Sequence, residues 1–363
     1  MNPSKNARIR LAAMGDLLLS TRPGAVTPGR GLEALGQDLR ELFASCDVVF
    51  ANLECTLPGR ETVPTEPRVV STEKQISSLH NSGINVVTLS NNHAFDCLDE
   101  GFSRLTSVLA SENIKWFGAG QNLKEALKPL IFEIRGIKIA FFGCVAESTG
   151  ASIFAKKDSY GVAPLDTDEI CRLIKDISND VNIILVSPHW GRERFRIPAP
   201  EQIKQAKAFA ESGASMVLGH HPHVMQGFEY FGKTPIIYSM GNFLGNHVYW
   251  QDGDLMSWSR FERTGIIVIA DLNEHGVLNW RQIPVFDDGK KISIEKSGFG
   301  DRYLRKVNRM LAKGITQKLY NREELYIEIV KPVLSHLRWS EIVRIRPRNI
   351  RNLSRIINRY RAR

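Results

Sequence analysis

Residues 215–223 read Ser-Met-Val-Leu-Gly-His-His-Pro-His. A short apolar run, Ser215–Leu218, ends in a glycine and then three histidines in four positions. Runs of four to seven apolar, partly β-branched residues bounded by turn formers read as buried strands. The same pattern occurs five more times. The runs Ile9–Met14, Asp47–Ala51, Ile84–Ser90, Val181–Ser187 and Pro235–Tyr238 lead into Gly15-Asp16, Asn52-Leu53-Glu54, Asn91-Asn92-His93, Pro188-His189-Trp190-Gly191 and Ser239-Met240-Gly241-Asn242-Phe243. In open α/β sheets, ligands bind outside the carboxyl ends of the strands. Polar side chains from Asp16 to Asn242 are therefore expected to meet at one rim.

Between these strands the spacing turns helical. Leu35, Leu39, Leu42 and Phe43 share one side of a helix over 32–44. Further helices are expected over 72–81, 98–111, 166–178 and 199–212. Pro58, Pro64 and Pro67 keep 57–71 irregular. Two β-rich runs flank Arg135-Gly136 as a hairpin, and 265–271 and 277–285 read as an antiparallel pair. A two-sheet sandwich with helices outside fits this order. The core domain is placed at 8–285. Residues 286–300 read as a boundary, and 301–363 as a helical extension.

The charge supports that division. The chain has 48 Lys/Arg and 39 Asp/Glu, a net of +9. Residues 301–363 hold 17 Lys/Arg against 5 Asp/Glu, a net of +12 that leaves −3 for 1–300. Arg351, Arg355 and Arg359 recur every four residues beside the apolar stripe Ile350, Leu353, Ile356, Ile357 and Tyr360. This is a basic amphipathic helix, suited to a polyanion or an anionic membrane face. No run approaches the ~20 apolar residues of a spanning helix. The polar start, Met1–Arg10, lacks the form of a secretory signal. The five cysteines are widely spaced with no CxxC pair, as in reduced proteins. The expectation is a cytoplasmic protein with a peripheral contact at the inner membrane face.

Asp16 offers a carboxylate at a strand end, and Glu54 has two oxygens able to bridge two ions. Asn92 supplies a neutral amide oxygen. Asp96, three residues after His93, can orient that ring. His189 follows a strand directly. His221 and His223 address two ions or two faces of one site, although His220 can take the place of His221. Imidazole, carboxylate and amide donors together suit Mn, Fe or Zn rather than a calcium cage or a thiolate zinc site. The set is large enough for one or two divalent transition ions, the latter held ~3.5–4 Å apart.

Taken in order, Gly-Asp, Asn-Leu-Glu, Asn-Asn-His-x-x-Asp, His-Trp-Gly-x-Glu, Gly-His-His-Pro-His-Val and Ser-x-Gly-Asn-Phe resemble the CapA family of bacterial capsule (poly-γ-glutamate) synthesis proteins. That family is similar to the calcineurin-like metallophosphoesterases. The resemblance implies a four-layer α/β/β/α sandwich over roughly residues 8–285. It implies Asp16, Glu54, Asn92, His189, His221 and His223 as metal ligands. It implies His93, with Asp96, as the pair assisting the leaving group, and Glu193, Asn242 and Phe243 as site-lining residues. One feature departs from the wider superfamily, whose usual Asp-x-His pair is here Asp16-Leu17-Leu18.

The function expected is a metal-dependent, phosphoesterase-like hydrolase in capsule or poly-γ-glutamate biosynthesis. The alternative is an accessory protein that binds, cuts or helps export a γ-glutamyl polymer. Arg192, Glu193, His220 and Asn242 are the expected contacts to an anionic substrate. A third reading, nucleic-acid binding through the eight arginines of 344–363, rests on phosphate attraction alone, without a base-reading motif.

Overall fold

The computed structural model describes residues 7–25, 27–250, 252 and 254–331. Two large sheets carry the chain. The first has eight strands, in the order Ile292–Ile294, Gly276–Asp287, Thr264–Asn273, Ile9–Leu18, Val48–Leu53, Val86–Thr88 and Lys115–Phe117, with Asn242–Gly245 also pairing Ile9–Leu18. The second has six, in the order Met225–Phe231, Thr234–Met240, Met216–Leu218, Ile183–His189, Ile137–Val145 and Leu130–Ile134. The centre of each sheet is parallel.

Strand periodicity explains the layering. Along the first strand, Ile9, Leu11 and Ala13 point to one face and join a core shared with Ile139, Phe141, Leu185 and Val217 of the second sheet. Ala12 and Met14 point to the other face and pack with Leu39, Phe43, Ile76, Leu79 and Leu105 of the covering helices. A one-residue slip would exchange the two faces. Ile170, Ile174, Ala206 and Phe209 cover the far side of the second sheet. The result is the expected α/β/β/α sandwich. Among the described residues, no helix is long and apolar enough to cross a membrane.

The sheets are stitched together where the candidate residues gather. The chain leaves the second sheet at Met240 and enters the first at Asn242. Gly241 makes the switch with φ +69°, a conformation glycine adopts at little steric cost. Its carbonyl accepts the Asp16 N–H at 2.9 Å. A Cβ on Gly15 would lie 1.8 Å from that same carbonyl oxygen, so glycine is required there too.

The expected boundary at 286–300 does not divide the molecule. Strand Ile292–Ile294 extends the first sheet. Helix Phe299–Ala312 inserts Tyr303, Leu304, Val307 and Leu311 into the main core. An alternation of charge and glycine looked like a linker, but it only turns the chain onto its own sheet. Helix Gln317–Leu325 follows. The basic amphipathic stripe, with Arg351, Arg355 and Arg359, lies outside the described residues.

Gly15→Ala is expected to destabilise the fold by about 2–3 kcal/mol through overpacking against backbone. Urea unfolding of the variant measures this. A change within error would show that the two sheets can part at this point without penalty.

Candidate metal centre

Several strands, most of them parallel, deliver side chains to a shared rim. Asp16 lies near the carboxyl end of the first strand, two residues before its last residue Leu18, and Glu54 follows Val48–Leu53 directly. Asn91, Asn92 and His93 follow Val86–Thr88, and His189 ends Ile183–His189. His220, His221 and His223 follow Met216–Leu218, and Asn242 begins the strand after the sheet switch.

The donors form two overlapping sets. One comprises Glu54, His189 and His221; the other comprises Asp16, Glu54 and His223. In each set, one donor atom per residue lies within 4.8 Å of the others, and every member is buried. Glu54 belongs to both. Asn92 Oδ1 lies 2.8 Å from His189 Nε2 and extends the first set. His221 and His223 reach these places through φ values of +95° and +57°, a region costly for side chains with a Cβ.

Donor atoms without partners concentrate at this place. Glu54 Oε1, His221 Nδ1, His220 Nε2 and Asn242 Nδ2 are buried without a hydrogen bond. Leaving such a group unmet costs about 1–3 kcal/mol. Glu54 Oε1 lies 3.7 Å from His189 Nε2 and 3.8 Å from His223 Nε2, too long for hydrogen bonds. A carboxylate oxygen facing two imidazoles at that range fits a cation held between them. The set has nitrogen and oxygen donors, a mixture that suits Mn, Fe or Zn. Nearby Cys55 is buried, and burial pushes its thiol upward, keeping it neutral.

The protonation pattern agrees. Burial works to raise Asp16, but hydrogen bonds from His220 and His223 hold it well below the usual carboxylate range. Burial pushes Glu54 up to about 8. Burial disfavours charge on His223, yet the carboxylates of Glu54, Asp16 and Glu193 outweigh it and push the ring up to about 10. Burial, with some help from neighbouring rings, lowers His189 and takes His221 down to about 4. Without an ion, protons on His223 and Glu54 therefore do part of the charge balancing.

Asparagines align the carboxylates. Asn52 Nδ2 donates to Asp16 Oδ1 at 2.9 Å and to Glu54 Oε2 at 3.4 Å. Asn91 Nδ2 donates to Asn52 Oδ1 at 3.0 Å and to the Leu53 carbonyl at 2.8 Å. The sequence reading gave neither residue a role, although both sit inside the quoted motifs. The available signal was an amide beside each carboxylate or amide ligand, since buried carboxylates need fixed donors.

His93 Nδ1 lies 2.7 Å from Asp96 Oδ2, which also accepts the Val69 N–H at 2.7 Å. Asp96 thus ties His93 to the irregular 57–71 excursion. His93 is disfavoured as a cation by burial, but Asp96 raises it above the usual imidazole range. Glu193 senses His223, His221 and His93; together with Arg194 they outweigh its burial and lower it. Asn242 Oδ1 lies 2.8 Å from His223 Nδ1.

Three expected site contacts lie elsewhere. His220 forms a backbone bridge to His189, and its ring packs against Phe50 of the core. There Nδ1 meets Asp16 Oδ1 at 3.1 Å. It steadies Asp16 and does not face a substrate. Arg192 turns away to Glu324 and Glu328 on the C-terminal helical segment, because those carboxylates neutralise it. Phe243 is buried against Phe43 and does not line the site.

A sandwich with a buried, two-set donor rim defines an α/β protein with a candidate metal site. The profile described as "Bacterial capsule synthesis protein PGA_cap" matches residues 10–247, and the chain belongs to that family. It is 27% identical over 276 residues to the PGA biosynthesis protein CapA of Bacillus subtilis (strain 168), covering 75% of this chain and 70% of that one. It is 22% identical over 335 residues to the capsule biosynthesis protein CapA of Bacillus anthracis, covering 90% and 78%. Among solved structures, a novel phosphatase from Mycoplasma pneumoniae is 15% identical with a TM-score of 0.48, covering 82% of this chain and 97% of that one. The NAD nucleotidase of Haemophilus influenzae is 14% identical with a TM-score of 0.47, covering 89% and 61%. The layering itself stands on the strand pairing above.

Ion uptake is expected to release protons near pH 7, because an ion displaces those on His223 (about 10) and Glu54 (about 8). Apparent affinity therefore rises with pH. Calorimetry in buffers of different ionisation enthalpy counts the protons, and a count of zero contradicts the arrangement. Glu54→Gln is expected to lower bound ion in both sets, read by metal analysis after gel filtration.

Proposed function

We propose that this chain is a metal-dependent hydrolase of phosphoesterase type that acts in capsule or poly-γ-glutamate biosynthesis. The observation that carries this reading is Glu54 Oε1, buried, unpartnered and common to two donor sets. Asp16, Glu54 and His223 would hold one divalent transition ion; Glu54, Asn92, His189 and His221 would hold another. Such ions supply Lewis acidity toward an anionic oxygen and acidify water.

The chain's own residues do the rest. Asp96 fixes Nδ1 of His93, which leaves Nε2 as the atom able to hold a proton for a leaving group. Asn52 and His220 keep Asp16 oriented. Asn242 keeps His223 oriented. Glu193 adds a third carboxylate, and three carboxylates facing two divalent ions leave the site attractive to an anion. The rim lies between two sheets, where low dielectric strengthens these interactions.

One observation favours a second reading, in which the site binds or cuts a γ-glutamyl polymer without phosphatase activity. Leu18 stands two residues after Asp16 and is buried in the core, so the Asp16 set has no second imidazole from its own strand. Under this second reading the substrate is an acidic polymer, which the basic C-terminal residues would help to hold.

His93→Ala is expected to lower kcat on bis-p-nitrophenyl phosphate by about 10²–10³-fold with bound metal unchanged. A proton donor must be protonated, so activity falls as pH rises through the His93 pKa. Asp96→Asn removes the partner that raises that pKa, and the alkaline limb should move to lower pH. Full activity in His93→Ala would end the proton-donor role. Absence of any phosphoester turnover, with poly-γ-glutamate cleaved instead, would favour the second reading.

A further inference from the structure

A polar cavity of about 500 Å³ opens beside the metal centre. It is lined by the loop after the first strand, including Ser20, Arg22 and Arg30, and by the segment after the sheet switch, including Gly245, His247 and Arg263. Three arginines face it, and among the described residues no acidic side chain lines it. That imbalance is unusual for a cleft whose neighbouring site is built around carboxylates.

The three arginines are not equivalent. Arg30 is committed to Asp287 through two bonds of 2.7 Å, and is structural. Arg263 is half-buried and donates only Nε, to the Trp258 carbonyl at 3.1 Å. Among the described residues, its two terminal nitrogens have no carboxylate partner. Arg22 is exposed, likewise without an acidic partner among the described residues. A guanidinium with both terminal nitrogens free is a fork matched to a carboxylate or phosphate.

One strand and one tryptophan connect the walls of the cavity to the donor rim. Asn242, which steadies His223, begins the strand that Gly245 ends. Three residues of strand put the cleft edge about 10 Å from the site. Trp258 spans the same interval. Its ring centroid lies 5.3 Å from that of His223, its Nε1 donates to the Asn246 carbonyl at 2.7 Å, and its own carbonyl holds Arg263. A ligand reacting at the donor rim would have to be elongated to reach Arg263 as well.

We infer that this cleft is a specificity subsite that holds a second anionic group of an elongated acidic polymer, with Arg263 and Arg22 as its recognition residues. The inference rests on the proposed role in acidic-polymer synthesis and deepens it by naming where the chain beyond the reacting unit is held. The forks call for a second anionic group and the spacing for an elongated ligand; the γ-glutamyl class comes from the proposed function. A small phosphoester would fill the rim and leave the arginines without a partner.

The test measures binding, which does not require turnover. Fluorescein-labelled poly-γ-glutamate is titrated with the full-length, Mn²⁺-loaded protein and followed by anisotropy. Unlabelled γ-linked glutamate dimer and a twelve-residue oligomer serve as competitors. The double variant Arg22→Gln/Arg263→Gln is expected to bind the polymer and the twelve-mer at least tenfold more weakly, with the dimer unchanged. Arg22→Gln alone, at an exposed position, should show at least a threefold loss and keeps the test valid should Arg263→Gln misfold. Lys124→Gln/Lys128→Gln, which removes two surface charges elsewhere, should change binding less than twofold. Equal losses in the two double variants, an equal loss for the dimer, or no polymer binding by the wild type would overturn the subsite. Bis-p-nitrophenyl phosphate turnover by the wild type and by Lys124→Gln/Lys128→Gln reads the hydrolase proposal separately: its absence from both would strike that proposal alone.

Discussion

The arrangement of the rim follows from placing the Glu54 carboxylate in the interior with one oxygen unmatched. An ionised carboxylate withdrawn from water costs several kcal/mol unless something compensates it. Asn52 meets only Oε2, and at 3.4 Å. The imidazoles nearest Oε1 stand at 3.7 and 3.8 Å, so neither is hydrogen-bonded to it. A protonated His223 provides partial compensation across that distance. A divalent cation would compensate it fully, and would also satisfy the imidazoles that burial keeps neutral. Asn52, Asn91, His220 and Asn242 then have a common purpose. Each fixes the direction of a donor that would otherwise rotate toward a neighbouring ring.

The backbone around this point is held at unusual cost. His221 and His223 both have positive φ, and residues of this kind cost about 1–3 kcal/mol each. Pro222 between them and the close approach of Gly15 to Gly241 limit the alternatives. The loop after His189 is secured from outside. Arg194 pairs with buried Glu262 at 2.7 Å, and Arg196 pairs with Glu323 at 2.7 Å. Arg192 reaches Glu324 and Glu328. Thus the loop carrying Glu193 is braced by two separate elements, one of which belongs to the C-terminal helical segment. Position at the rim depends on residues far along the chain.

Much of this was legible from the strand-then-ligand pattern. Apolar runs are short and sharply bounded, and the polar residue after each must sit at a strand end. That is why Asp16, Glu54, Asn92, His189, His221 and His223 could be brought to one rim before any coordinates. Orientation was not legible. His220 and His221 are neighbours of one type, and only the packing of the His220 ring against Phe50 tells which ring stays in the core. Arg192 looked like an anion clamp because its acidic partners lie more than 130 residues away. The boundary at 286–300 was misread for a similar reason: composition does not reveal that Ile292–Ile294 has a strand waiting for it.

Leu18, buried two residues beyond Asp16, offers no donor, and this gives the site a direction. Catalytic ions keep a coordination position open for water or substrate. The Glu54–His189–His221 set gains a fourth donor in Asn92, whereas the Asp16–Glu54–His223 set has three protein donors. Its His223 ring also packs against Trp258, and through Trp258 it adjoins the arginine-lined cleft. The donor-poor set therefore lies on the side from which an anionic chain would enter. Weaker enclosure there leaves more coordination for ligand oxygens, while the better-enclosed set anchors the rim. Under the proposed subsite, an elongated polyanion would span Arg263 and the open side of the donor rim, with Trp258 and His223 between them.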